Sequence, residues 1–202
     1  ITEIAKQEVA HIMRHVAENC KEELKLLKSD PDKILETSKK KFPTITYTDA
    51  LEILKKKGLV IPWGKDLRTI EEDKLMEEFD TPIIVTEYPK KAMAFYKPEK
   101  KVKNKKLPGP VALCFDMLAP DGYGEIIGGS ERDTEINSLI KALKEEGEDI
   151  NNYEWYLDLR RYGSVPHSGY GLGVERIVAW LCGLENIKDA IPFPRTMLRF
   201  NP

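Results

Sequence analysis

Apolar residues recur at three- and four-residue steps from Ile4 through Ala5, Val9, Ile12, Met13, Val16, Cys20, Leu24 and Leu27, the period of one helix face. This predicts a long amphipathic helix stopped by Ser29-Asp30-Pro31. Phe42-Pro43-Thr44-Ile45-Thr46 reads as extended, and Asp49 to Lys57 as a short helix ended by Gly58. Trp63-Gly64-Lys65-Asp66 is expected to turn, and Thr69 to Phe79 to form a helix capped by Thr69 with Glu72 three residues on. Beyond Pro82 the period shortens. Ile83-Ile84-Val85-Thr86, Ala94-Phe95-Tyr96 and Val111-Ala112-Leu113-Cys114-Phe115 read as strands, the third apolar enough to be central. A helix through Ile136, Leu139, Ile140 and Leu143 is expected to start at Gly129-Ser130 and close at Gly147, and a last one to follow Arg176 with Ile177, Val178, Trp180 and Leu181 turned inward. Strands in blocks with helices packed on one side imply an α+β fold, an antiparallel β-sheet flanked by helices, and not a wound parallel sheet.

Composition narrows the classes of function. The 202 residues fit one domain that buries roughly 70% of the surface of its unfolded chain. Charged residues make up 33% and the formal net charge is −2, so tRNA or any other polyanion would have to meet a local basic patch. Six lysines between Lys97 and Lys106 read as a solvated loop that keeps an edge strand from pairing. Cys20, Cys114 and Cys182 lie far apart in apolar stretches without Cys-x-x-Cys spacing, which suits reduced core residues of an intracellular protein. No apolar run approaches the ~20 residues that cross a bilayer, and the N-terminus has no secretory pattern. We therefore expect a cytoplasmic protein with no membrane role. The chain opens at Ile1 directly in helical periodicity, so an upstream segment is also expected. His11 and His15 lie one turn apart with no third ligand in view, and read as a surface pair.

The chemistry concentrates between Asp116 and Arg176. Ala119-Pro120-Asp121-Gly122 carries proline second and glycine fourth, as a type I turn does. Symmetric pairing about it sets Leu118 against Tyr123, Met117 against Gly124 and Asp116 against Glu125. Two carboxylates so placed repel unless a cation or proton lies between them, and oxygen ligands at that spacing suit Mg²⁺; spacing alone equally allows two acids on a wet sheet face. Gly128-Gly129 then interrupts the strand where a ligand could approach the backbone. Arg132 follows on the turn into the helix, with a planar fork suited to a carboxylate or amide oxygen, or to an ordinary surface salt bridge. Gly171-Leu172-Gly173-Val174-Glu175-Arg176 lacks the third glycine of a dinucleotide-binding turn, and the preceding Tyr162 to Gly169 reads as loop. There remains a close backbone approach for a flat base, with Arg176 beside it for a phosphate. His167 reads as a loop histidine bonded to backbone or, less simply, as a general acid.

Together these segments resemble the C-terminal part of the catalytic domain of class II aminoacyl-tRNA synthetases of the aspartyl/asparaginyl subclass. Gly171 to Arg176 resembles motif 3, and Phe193-Pro194-Arg195 with Arg199 and Pro202 resembles the C-terminal ending. The likeness is greater to the asparaginyl branch through Asp116-Met117-Leu118-Ala119-Pro120, Gly124 to Ser130, Trp155 to His167, Trp63-Gly64-Lys65-Asp66-Leu67 and Ala94-Phe95-Tyr96. The resemblance implies that residues 1–202 are the C-terminal portion of that α+β core, with motif 1, the motif 2 arginine and the anticodon-binding barrel lying before Ile1. It implies Asp116 and Glu125 as holders of Mg²⁺ on ATP, and Gly128, Gly129 and Arg132 around the amino acid. Gly171, Gly173, Val174, Glu175 and Arg176 would line ATP, with Glu125 and Arg176 catalytic. The implied activity is conversion of asparagine and ATP to asparaginyl-adenylate and transfer to the 3′ end of tRNA(Asn) by a homodimer, the fragment alone being inactive. Aspartyl enzymes often carry serine at the position of Gly128, so the glycine favours the asparaginyl branch while thinning the metal coordination. Two further readings stay open: a paralogue that makes asparagine from aspartate, ATP and ammonia, and a non-catalytic synthetase-like module.

Overall fold

A computed structural model describes residues 1–101 and 107–198. Lys103, Lys105, Lys106, Arg199 and Pro202, singled out above, lie outside the described residues. In chain order come α1 (Thr2–Asn19), α2 (Lys21–Leu26), α3 (Pro31–Thr37), β1 (Thr44–Thr46), α4 (Tyr47–Lys56), α5 (Thr69–Met76) and β2 (Ile83–Thr86). The hairpin β3 (Cys114–Ala119) and β4 (Gly124–Glu131) leads to α6 (Ile136–Glu146), α7 (Glu154–Arg161), β5 (Ser168–Leu172) and α8 (Val174–Cys182).

Several element ends follow from local chemistry. The expected first helix breaks at Cys20, where the Asn19 side-chain amide donates to the His15 carbonyl at 2.8 Å and competes with the helical ladder. Asp30-Pro31 starts a helix as well as stopping one, because the Asp30 carboxylate accepts from the N–H groups of Asp32 at 2.9 Å and Lys33 at 3.2 Å. Thr46 and Asp49 form a reciprocal capping box at 3.0 and 3.1 Å, so α4 begins before Asp49. In α5 the N–H of Arg68 donates to Glu71 at 2.9 Å. The helix therefore starts from Arg68 and Glu71, not from Thr69 and Glu72, and Glu72 is left to face the sheet.

The five strands lie in the order β1-β2-β3-β4-β5. Pairing is antiparallel except between β1 and β2, which are parallel, so the antiparallel sheet expected from the sequence carries one parallel edge strand. Helices also cover both faces, not one. Ile83, Ile84 and Val85 are all fully buried, the unbroken apolar run of a strand covered on both sides. Ile83, Val85 and Leu118 pack under Tyr47, Ala50 and Leu54 of α4 and Leu75 and Met76 of α5. Ile84, Phe115 and Met117 pack on the other face against Ala5, Val9 and Met13 of α1 and Ile177 and Leu181 of α8. Val178, expected inward, is exposed.

Three expected boundaries move. Phe95 and Tyr96 form a turn, not a strand, closed by the Lys97 N–H on the Ala94 carbonyl at 3.1 Å. Val111 and Ala112 make only isolated bridges, to Pro89 and Glu99, and the continuous strand begins at Cys114. β4 runs through Gly128-Gly129 without interruption, and the helix expected from Gly129-Ser130 starts at Ile136. Its close at Gly147 is as expected, with φ of 77°, a left-handed conformation that glycine adopts without strain. Among the described residues no helix is long and apolar enough to cross a membrane.

Candidate active site

The register of the β3/β4 hairpin differs from symmetric pairing. Ala119 faces Gly124, Leu118 faces Glu125, and after a shift at Met117/Leu118, Met117 faces Ile127 and Asp116 faces Gly128. Asp116 and Glu125 are therefore not directly opposed. Ile126 is the extra residue of a β-bulge, and it shares one core with its neighbour Ile127, which strict alternation forbids. The bulge restores what the register took away: it turns Glu125 onto the face of Gly128 and Asp116. A Cβ on Gly128 would lie 2.5 Å from the Glu125 Oε1 and 3.5 Å from the Asp116 Oδ1, so both carboxylates crowd the space above this glycine.

A third acid lies beside Glu125. Glu72 of α5 is buried, and its Oε2 would lie 2.9 Å from a Cβ on Gly124, whose φ of 62° already requires glycine. Burial and the neighbouring Glu125 charge push Glu72 up to about 7. The same two causes push Asp116 up to about 7. Burial also raises Asp66. Lys97 partly offsets Asp116, and Arg176 partly offsets Glu72. The Tyr88 hydroxyl, fully buried beside Asp116, finds no hydrogen bond of good geometry. Such a site is short of positive charge. Mg²⁺ fits it, because that ion takes one or two carboxylates and completes its shell with waters and phosphates; among the described residues no three metal-ligating side chains converge.

Next to the acids the sheet has a floor without side chains. Gly128 pairs with Gly171 and Ser130 with Gly169 on β5, the segment expected to be loop up to Gly169. A Cβ on Gly171 would meet nothing within 4 Å, so the space above this floor is open. β5 runs directly into α8, whose first residues Val174, Glu175 and Arg176 are exposed. Gly173 caps the helix, donates to the Ile126 carbonyl at 2.9 Å, and lies under the Arg176 stem, 3.3 Å from Cδ by its missing Cβ. The free N–H groups of a helix start and a guanidinium beside them attract phosphate.

Arg132 follows β4 directly. Its Nη1 donates to the buried Ser130 Oγ at 2.9 Å and its Nη2 to the Gly169 carbonyl at 3.4 Å. Tyr96 lies beneath the guanidinium at 4.7 Å. Two of five N–H groups are thereby engaged. Ser130 is two residues, roughly 7 Å along the strand, from Gly128, so the fork reaches back toward the glycine floor.

The structure thus gathers Asp116, Glu125, Gly128, Gly171 and Arg132 on one sheet face, with Gly173, Val174, Glu175 and Arg176 at its end; Gly129 faces the opposite core, against Phe115 and Tyr170. Sequence reasoning missed Glu72, Asp66, Tyr88, Tyr96 and Lys97 as neighbours of the site. Only tertiary packing joins them. His167 Nδ1 lies 2.7 Å from the Val165 carbonyl, the loop role read first for it. His11 and His15 stack at 6.1 Å without a third ligand among the described residues.

Known proteins share this sequence and fold. Residues 1–197 match the family of tRNA synthetases class II (D, K and N). The asparagine–tRNA ligase of Pyrococcus abyssi is 46% identical over all 202 residues, which cover 45% of that protein. The asparaginyl-tRNA synthetase structure from Pyrococcus horikoshii, also solved with asparaginyl-adenylate, is 46% identical with a TM-score of 0.89 over 99% of this chain and about 46% of its own. An aspartyl tRNA synthetase from Entamoeba histolytica is 26% identical with a TM-score of 0.82 over 100% of this chain and 41% of its own. The chain therefore spans less than half the length of these relatives. An acid pair aligned by a bulge beside a glycine floor, on a fold and sequence matched over nearly the whole chain, establishes that this chain belongs to the class II tRNA synthetases of the D, K and N group.

Proposed function

We propose that the protein carrying this chain activates asparagine with ATP to asparaginyl-adenylate and pyrophosphate, and passes the asparaginyl group to the 3′ end of tRNA(Asn). One observation carries this reading: a single sheet face bears two crowded carboxylates, an open floor above Gly171 and the unfilled fork of Arg132. The likeness to a synthetase solved with asparaginyl-adenylate supports it.

In this reading the adenine stacks over Gly171 and Gly173, while the exposed start of α8, Val174 to Arg176, takes phosphate, with Arg176 at the γ-phosphate. Asp116 and Glu125 hold Mg²⁺, which supplies charge neutralisation on the phosphates when bound. Arg132 grips the side-chain oxygen of the amino acid, and the missing side chain at Gly128 makes room for the two carboxylates beside it, whereas Gly129, turned to the opposite core, takes no part in the site. The carboxylate of asparagine itself attacks the α-phosphorus, so the chain needs no nucleophile and works by positioning and charge stabilisation. Glycine at 128 favours asparagine over aspartate. A cytoplasmic homodimer completes the proposal, on the strength of the family resemblance.

The test is ATP–pyrophosphate exchange by the complete protein, asparagine against aspartate. Asparagine-dependent exchange is expected, lost in Arg132→Ala while ATP binding persists. Unchanged exchange in that variant would remove Arg132 from the site, and exchange with aspartate alone would overturn the choice of substrate.

A further inference from the structure

Arg160 of α7 is 8% exposed, yet its partners carry no negative charge: Nε donates to the Asp133 carbonyl at 3.1 Å, Nη1 to the Tyr156 carbonyl at 3.4 Å, and Nη2 to the Tyr156 hydroxyl at 2.8 Å. Burying a guanidinium against neutral acceptors is costly, and a well-packed apolar side chain would serve stability better. Its surroundings suggest what the charge does. The Arg160 guanidinium lies 4.1 Å from the centre of the Tyr156 ring. Tyr156 meets Phe95 edge-on at 5.6 Å, and Phe95 meets Tyr96 edge-on at 5.4 Å. Tyr96 lies 4.7 Å beneath Arg132. Asp133, next to Arg132, donates its N–H to the Tyr96 carbonyl at 2.9 Å and receives Arg160 on its own carbonyl. The contacts form a closed ring: Arg132, Tyr96, Phe95, Tyr156, Arg160, Asp133 and back to Arg132.

We propose that Arg160 is a positioning residue for substrate selection: by clamping the Asp133 carbonyl and the Tyr156 ring together it fixes the plane of the Arg132 fork. The inference rests on the reading of Arg132 as the group that grips the amino-acid side chain. The Asp133 side chain reinforces the clamp, because it caps the entry to α6 by accepting from the Glu135 N–H at 2.9 Å and the Ser138 hydroxyl at 2.6 Å. A chain leaving β4 without regular structure is thereby held at both ends. A displacement of about 1 Å in such a group costs on the order of a hundredfold in rate, so the mount acts on asparagine and leaves the nucleotide end of the site alone.

The experiment compares Arg160→Gln and Tyr156→Phe with wild type in the complete protein, measuring KM for asparagine and for ATP in pyrophosphate exchange. Arg160→Gln is expected to raise the asparagine KM about tenfold or more, with the ATP KM within about twofold, and Tyr156→Phe to shift the same constant by a smaller factor. A merely structural role would weaken both substrates together, and that result overturns the proposal. Arg132→Ala run alongside separates the two readings. Loss of exchange there with an unchanged asparagine KM in both mount variants defeats the mount alone; unchanged exchange in Arg132→Ala defeats the assignment of Arg132. Should Arg160→Gln fail to fold, Tyr156→Phe decides, since it keeps the ring and deletes one acceptor.

Discussion

Gly129 offers the sharpest quantitative test, because the space its missing side chain would need is taken by rigid groups. A Cβ there would lie 2.5 and 2.6 Å from Cε1 and Cζ of Phe115 and 2.8 Å from the Tyr170 Cβ. Phe115 is buried in the core under α1, and Tyr170 is held on the neighbouring strand β5, so neither can swing aside as a flexible side-chain end would. Relief from 2.5 Å to an ordinary contact of 3.4 Å requires a displacement of 0.9 Å, shared between β4 and the Phe115 ring. Overpacking of this kind costs about 1–3 kcal/mol, and in a domain of this size each kcal/mol lowers the melting temperature by roughly 2–4 °C. Gly129→Ala is therefore expected to melt about 2–12 °C below wild type by scanning calorimetry. Because Gly128 and Arg132 lie on or directly after the same strand, exchange activity should fall by one to two orders of magnitude. Adding Phe115→Leu, which vacates the clash, should recover part of the loss, a coupling that distant sites do not show. A melting temperature within about 1 °C of wild type, or a double variant merely as unstable as the sum of its parts, would refute this reasoning.

The same substitution on the neighbouring strand, at the partner of Gly128, has the opposite expected result. Gly171→Ala meets no atom within 4 Å, so its melting temperature should stay within error while the KM for ATP rises about tenfold, where a base must otherwise lie on bare backbone; an unchanged ATP KM would remove Gly171 from the nucleotide site. The acid group predicts the pH response. Glu72 and Asp116 are both pushed up to about 7, above their unfolded values of about 4, so the folded protein binds more protons than the unfolded one between those limits. Their contribution to stability is fully present below about pH 4 and is lost as pH rises through about 7. Melting of the metal-free protein should accordingly worsen from pH 5 to pH 8. Mg²⁺ with ATP should flatten that trend and bind more tightly as pH rises, and a pH-independent melting curve would contradict the crowding of these carboxylates.

The order and spacing of residues carried the family and most of the elements, because helices and strands are local periodicities and the motif segments are contiguous. α4, β2, the left-handed close at Gly147 and the glycine-framed Arg176 could all be read from neighbours in sequence. The hairpin could be located but not registered: whether one residue of β4 bulges is decided by which of Ile126 and Ile127 the core under α1 and α8 accepts, and it accepts both. That decision alone turns Glu125 toward Asp116. Likewise nothing local to Ala94, Phe95 and Tyr96 distinguishes a strand from the turn that carries Tyr96 beneath Arg132, and nothing near Glu72 announces Glu125. Sequence determines which chemical groups exist and the period at which they recur; tertiary packing determines which faces those groups share, since a shift of one residue in a strand exchanges the two sides of a sheet.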